Sequence, residues 1–319
     1  MRFKLCKDRS TGKEMRMCVV DTLLSAMEEN NKIIALDADL AEASGFKKIK
    51  ANKPDNFIEC GIAEANMVGV AAGLSLFGYI PFIHSFGPFV TRRVFDQIFV
   101  SGAYAHNTIN IYGSDPGFCV AQNGGTHTTW EDVALMKTIP NALICDAADG
   151  VQMSWIINNF SKLKGIHYVR GNRKPVKKVY EQGSAFEFGK GNVLVNGDDI
   201  LLISSGQLTS EALVAVERLK EDHISVELID MFTIKPFDKE LFLNEIEGKK
   251  YVVTFENHSI YGGLGSTVAE IMAENGLGIP LIRLGVDEKF GQVGTAAWLQ
   301  KEYNLTSQDL YEKILKLVK

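Results

Sequence analysis

Four short segments carry residue types that could do chemistry. In residues 56–72, NFIECGIAEANMVGVAA, the pattern predicts a strand, a turn at Gly61 and a helix starting near Ala63. Glu64 then sits in a first helical turn at the carboxyl end of a strand, where open α/β sheets bind ligands. A carboxylate there can serve a ligand, or can simply be an acid favoured by the helix dipole. In residues 83–97, IHSFGPFVTRRVFDQ, Phe86 and Phe89 are three apart, so on a helix both face one way. Such a pair packs a core or walls a slot for a flat ring. Residues 113–132, GSDPGFCVAQNGGTHTTWED, form a Gly-rich stretch with one imidazole, His127. That ring can take or give protons near neutral pH, or be incidental to the loop. In residues 167–175, HYVRGNRKP, a strand ends and Arg170 and Arg173 follow. A guanidinium fork suits an oxyanion, and a solvated loop would account for it equally.

These segments need a scaffold, and the alternation of apolar runs supplies one. Residues 17–28 have helical spacing, 32–37 (KIIALD) read as a buried strand, and 61–76 as a helix. A strand at 79–84, a helix across 88–104, and strands at 108–112 and 142–146 follow. Strand-then-helix alternation predicts a parallel sheet covered on both faces. Residues 171–192 interrupt it with Gly, Pro and charge. Beyond them strands are expected at 200–204, 225–229, 251–255 and 281–284, with helices at 211–219, 265–274 and the Lys-rich end. The expected fold class is therefore α/β with two doubly wound domains, 1–175 and 193–319, joined by a linker over 176–192.

The 319-residue length suits two such domains, and 46% hydrophobic residues allow sizeable cores. A net charge of -5 gives no electrostatic reason to expect nucleic acid or an anionic membrane as partner. The five cysteines form no CxxC pair, and no apolar run reaches the roughly 18 residues of a membrane span. The polar N-terminus lacks an apolar signal core. The expected setting is the reducing cytoplasm.

The string GIAEANM, followed by an Ala/Gly-rich helix, resembles the pyrimidine-binding signature of transketolases. It also resembles that of 1-deoxyxylulose-5-phosphate synthases and, more loosely, E1 β subunits of 2-oxoacid dehydrogenases. The resemblance to transketolases continues through S-F-G-P-F, R-V-F-D-Q, G-G-T-H, the run EDVALMKTIPN, DMFTIKP at 230–236 and FENH…GGLG in the second domain. It implies thiamine diphosphate as cofactor. Glu64 would hydrogen-bond N1′ of the aminopyrimidine, favouring the imino tautomer whose 4′-nitrogen deprotonates the thiazolium C2. Phe86 and Phe89 would stack on the pyrimidine, and Asp39 in LDADL would lie near the cofactor. His127 would stand at the reacting centre. Arg16 and Arg173 would bind a sugar phosphate, while Asp115 and Asn123 would occupy sugar-binding positions.

Departures accompany the likeness. Asp115 stands where ordinary transketolases have His, and Gln122-Asn123 where they have an acidic pair. Ala43 replaces a phosphate-site Ser. The G-D-G…N-N signature of a diphosphate-binding domain does not occur. The resemblance thus implies one subunit of a split transketolase, moving a two-carbon ketol unit from a ketose or its phosphate to an aldose. It implies no metal ligand in this chain. A separate partner would hold the diphosphate and Mg²⁺, in a dimer or an α2β2 assembly. A 2-oxoacid enzyme of the E1 β or deoxyxylulose-phosphate-synthase kind, and a non-catalytic relative, are the alternatives. The GGLG turn lacks GxGxxG spacing, and His258 is expected to be structural.

Overall fold

The computed structural model describes residues 3–318. Its strands are β1 (Thr11–Glu14), β2 (Ile33–Asp37), β3 (Phe57–Glu59), β4 (Ile80–Phe86), β5 (Ile109–Ser114), β6 (Leu143–Asp146), β7 (Ile166–Gly171) and β8 (Pro175–Lys177). The second half adds β9 (Asn192–Val195), β10 (Ile200–Ser204), β11 (Val226–Asp230), β12 (Thr233–Lys235), β13 (Tyr251–Ser259) and β14 (Leu281–Val286).

Strands β2, β5, β6 and β7 are buried at every residue, as strands of a sheet covered on both faces must be. The larger sheet has the order β12-β6-β7-β5-β4-β2-β3 and is parallel except for β12. The second has the order β14-β13-β10-β11-β9, parallel except for β9. One face of the larger sheet is covered by helices Met15–Glu29 and Gly150–Phe160, the other by Glu64–Leu76. Each of the two apolar clusters runs on into the second half, so Val19 shares a core with Leu202, and Met67 one with Ile203.

Two features depart from the sequence reading. The single helix expected over 88–104 is a turn, a 3-10 turn at Arg92–Val94, one α-turn at Phe95–Gln97 and a wide π-turn at Ile98–Tyr104. Pro88 follows the strand end, and Thr91 Oγ1 donates to Gly87 O at 2.6 Å, which closes a tight turn before any helix begins. Gly102 lets the π-turn lie against the sheet; a Cβ there would come within 2.9 Å of Ile166 Cδ1. Phe86 and Phe89 are therefore not neighbours on a helix, since Phe86 ends β4 and Phe89 lies in the turn after it. The second departure is β12. It belongs to a segment expected in the second domain, yet it pairs antiparallel with β6 and closes the edge of the first sheet.

Residues 176–192 are pinned. β8 pairs with β1, Leu5 bridges to Tyr180, and Asp149 Oδ2 accepts from the backbone N–H groups of Val179 and Tyr180, both at 2.8 Å. The other Asp149 oxygen caps helix Gly150–Phe160.

Candidate active site at the carboxyl ends of the parallel strands

Glu64 opens helix Glu64–Leu76 just after β3, and the left-handed Gly61 (φ 69°) makes the sharp entry. Its carboxylate is 5% exposed. Arg93 Nη1 donates to Oε1 at 2.6 Å; Oε2 has no hydrogen-bond partner among the described residues. Because the 92–104 turns run back across this helix, Arg93 also lies over the Phe89 ring, 3.8 Å from its centroid.

Phe86 and Phe89 meet edge to face with centroids 6.1 Å apart, despite the absence of a helix. His127 packs edge-on against both, at 5.3 Å and 5.1 Å. Its Nδ1 lies 2.9 Å from Thr126 Oγ1. Burial, reinforced by the positive charges of Arg93 and Arg173, pulls the imidazole below its ordinary value, so it stays neutral at pH 7. Arg173 stacks over the other side of the group, 4.7 Å from the Phe86 centroid. It ends in a paired clamp on Asp115: the Arg173 backbone N–H donates to Oδ1 at 2.8 Å and Nε to Oδ2 at 2.6 Å. Asp115 is fully buried in a left-handed conformation (φ 52°). Burial raises its carboxyl above the usual range, and Arg173 opposes that rise.

The structure thus brings Glu64, Phe89, His127, Phe86, Arg173 and Asp115 into one run of contacts. Arg16 joins at its rear, its backbone N–H donating to Arg173 O at 3.3 Å. The Arg16 guanidinium is turned to Glu14, with Nε to Oε2 at 2.8 Å, and to the carbonyls of Glu42 and Ala43. Asp39 (φ 60°) is exposed, and its N–H donates to Glu59 Oε1, which also accepts from Gly61 N; this ties the turns after β2 and β3 together. Asn123 is exposed on the 117–123 loop. Among the described residues, no contact joins Asp39 or Asn123 to the aromatic group.

Several supporting residues had no role assigned from sequence. Arg93 is one. Beneath the site, His84 bridges two buried strand ends, with Nδ1 2.9 Å from Asp37 Oδ2 and Nε2 3.0 Å from Ser114 Oγ. The signal for it was two ionisable residues closing adjacent apolar strands; Asp37 and His84 are direct partners in the β2–β4 register. Asn257, on β13, clamps the turn after Asp115. Its Oδ1 accepts from Phe118 N at 3.2 Å and its Nδ2 donates to Pro116 O at 2.9 Å. Gly117 (φ 58°) must be Gly here, because a Cβ would lie 2.1 Å from Asn257 Oδ1. Arg170, 1% exposed, forms ion pairs with Asp132 at 2.7 Å and Asp146 at 3.3 Å and donates to Asn257 O at 2.9 Å. Arg170 is therefore an interior tie, while Arg173 is partly exposed and lies over the aromatic group. His258 is buried, its Nδ1 donating to Ser259 O, and burial lowers its pKa to about 4. Ala121 takes a strained left-handed conformation (φ 53°, ψ -117°) in the loop leading to His127.

Among the described residues, no cluster of three or more His, Cys, Asp or Glu could hold a metal ion. No described helix is long and apolar enough to cross a membrane.

Comparison with known proteins agrees with this layout. The family model for the transketolase pyrimidine-binding domain matches residues 11–177, and that for the transketolase C-terminal domain matches 189–310. The chain is 40% identical over 296 residues to the 6-deoxy-6-sulfo-D-fructose transketolase subunit of Clostridium sp. (strain MSTE9), covering 93% of this chain and 92% of that one. It is 37% identical to a putative transketolase C-terminal section of Methanocaldococcus jannaschii, covering 96% and 97%. A solved structure described as a split gene transketolase, inactive β4 tetramer, superposes with a TM-score of 0.86 at 35% identity, covering 96% of this chain and 98% of that one.

Proposed function

The chain belongs to the transketolase family, and from that premise we propose that it is the pyrimidine-binding subunit of a split, thiamine-diphosphate-dependent transketolase, active only with a separate diphosphate-binding subunit. It would transfer a two-carbon ketol unit from a ketose donor to an aldose acceptor. One observation carries the reading: a buried helix-start carboxylate, Glu64, is tied through Arg93 to an aromatic group of Phe86, Phe89 and His127 at the ligand-binding end of a parallel sheet.

The residues fit the cofactor's pyrimidine. Glu64 Oε2 is unengaged and can accept from a ring nitrogen, and the Phe pair offers an apolar wall to a flat ring. When bound, thiamine diphosphate supplies the carbon nucleophile. The protein's own work is then positional and protonic. Glu64 holds a proton at the ring nitrogen. His127, kept neutral, is able to exchange protons with a substrate hydroxyl. Arg173, with Arg16 hydrogen-bonded to its backbone, would receive the rest of the sugar chain. Asp39 and Asn123, on exposed turns, would meet ligand only in the assembled enzyme. Mg²⁺ and the diphosphate would be held by the partner chain.

A partner surface is at hand. Ile62, in the turn just before the Glu64 helix, Leu76 and Phe77, at that helix's far end, and Tyr104, in the π-turn packed beside it, are 74–81% exposed. A diphosphate-binding subunit that covers this helix face, with Ile62 beside Glu64, would close the site in an α2β2 arrangement. The free cysteines suit a reducing compartment, and we place the subunit in the cytoplasm. The same reading keeps the division into a pyrimidine-binding domain (1–175), a linker (176–192) and a C-terminal domain (193–319).

The test is reconstitution with a diphosphate-binding subunit, thiamine diphosphate and Mg²⁺. Calorimetric binding of the cofactor and ketol transfer from hydroxypyruvate to an aldose are the expected results. A reconstituted complex that binds the cofactor but only releases CO₂ from pyruvate would overturn the transketolase assignment.

A further inference from the structure

Resting on the transketolase reading, we propose that Asp115 is a built-in counter-charge to Arg173 that sets donor specificity, so that the sugar chain end accepted here carries at most one negative charge and a phosphate monoester is disfavoured. Two arginines are neighbours at this end of the site, and both are already paired with a carboxylate. Arg173 is clamped by Asp115 through two hydrogen bonds. Arg16 is paired with Glu14, and its Nη1 is directed to the carbonyls of Glu42 and Ala43.

The two pairs differ in strength. Glu14 is 38% exposed, so solvent screens that pair heavily. Asp115 is fully buried and has no access to water as a replacement partner. If a phosphate dianion drew Arg173 away, a buried carboxylate would be left uncompensated, which is the costly outcome for an interior ion pair. If Arg173 stayed, the dianion would share one guanidinium with an existing anion. Arg93, across the Phe pair, is already paired with Glu64, and Lys174 is exposed and adds one screened positive charge. Arg173 keeps Nη1 and Nη2 unengaged among the described residues, and these donors suit a hydroxyl or a sulfonate oxygen. The set therefore balances a neutral or singly charged group.

The experiment uses the reconstituted complex with cofactor and Mg²⁺. Fructose, 6-deoxy-6-sulfofructose and fructose 6-phosphate are compared as donors, with hydroxypyruvate, which has no distal chain, as reference. The expected kcat/KM for the better of the first two exceeds that for the phosphate by about 10-fold or more. Asp115→Asn, which keeps the shape and removes the charge, should raise the phosphate-to-hydroxypyruvate ratio of kcat/KM by about 10-fold, mainly through KM. Glu14→Gln, at a screened surface position, should move the same ratio in the same direction by a smaller factor and serves if Asp115→Asn fails to fold. A wild-type preference for fructose 6-phosphate, or a ratio unmoved by the variant that folds, overturns the proposal. Absence of hydroxypyruvate turnover overturns the transketolase reading and this proposal with it.

Discussion

Two clusters of buried acids and arginines lie within a few residues of each other, and they are built differently. At the candidate site, Arg93 and Arg173 keep 45% and 18% of their side chains exposed, each pairs with one carboxylate, and each lies over a Phe ring. Between the two halves of the chain, Arg170 is 1% exposed and joins Asp132, Asp146 and the Asn257 carbonyl. Both clusters have polar atoms left over, Glu64 Oε2 and the Arg173 Nη groups in the first and Asp132 Oδ1 in the second, but the first is partly open to solvent and the second faces only protein. A partly exposed ion pair is suited to receive a ligand, whereas one enclosed by protein fixes how the halves meet.

The comparison can be broken at four points. Glu64→Gln should lower ketol transfer by roughly 10³- to 10⁴-fold, because it removes the proton-holding group. Its thermal midpoint should stay near wild type, since the Arg93 partner is half exposed; activity within tenfold of wild type would remove Glu64 from the chemistry. Arg170→Met should act in the opposite way. It leaves Asp132 and Asp146 buried without their cation, at a cost of about 3–5 kcal/mol in urea unfolding. A stability loss below about 1 kcal/mol would show that this cluster is not the closed tie described. Asn257→Leu deprives Phe118 N–H and Pro116 C=O of partners, costing about 1–3 kcal/mol and raising donor KM through a looser Asp115 turn. Unchanged KM would confine Asn257 to packing.

The smallest effect concerns pH. The folded pKa of His127 is depressed below the ordinary 6.5, first by burial and then by Arg93 and Arg173. Protonation is thus delayed on acidification, and the acid limb of kcat/KM should lie below pH 6.5. Arg93→Gln removes one repulsive charge and should move that limb upward; a shift downward would contradict the geometry.

Sequence patterning anticipated much of the scaffold, because buried parallel strands such as IIALD and LICD must be apolar on both faces. It failed at 88–104, where the helical run of side chains meets Pro88 and a π-turn that depends on Gly102 packing on Ile109 and Ile166. It also could not place β12, whose three residues are too few for a period and whose partner lies about 90 residues upstream. At the site, Glu64, His127, Asp115 and Arg173 could be singled out separately. Their mutual pairing could not, since the Asp115–Arg173 and Glu64–Arg93 contacts span 58 and 29 positions and arise only when strand ends converge. Asn257 was missed for the same reason, as its carboxamide reaches a turn 139 residues away.

The position of β12 bears on any attempt to divide this protein. A fragment cut at the linker would lose Thr233–Lys235 and bare the backbone edge of β6, together with the apolar patch that Phe232 and Ile234 normally shield. Such a piece would seek a strand from a neighbouring molecule, and self-association would be its default fate. Adding the missing peptide back in trans, by contrast, offers a route to restoring a soluble front half.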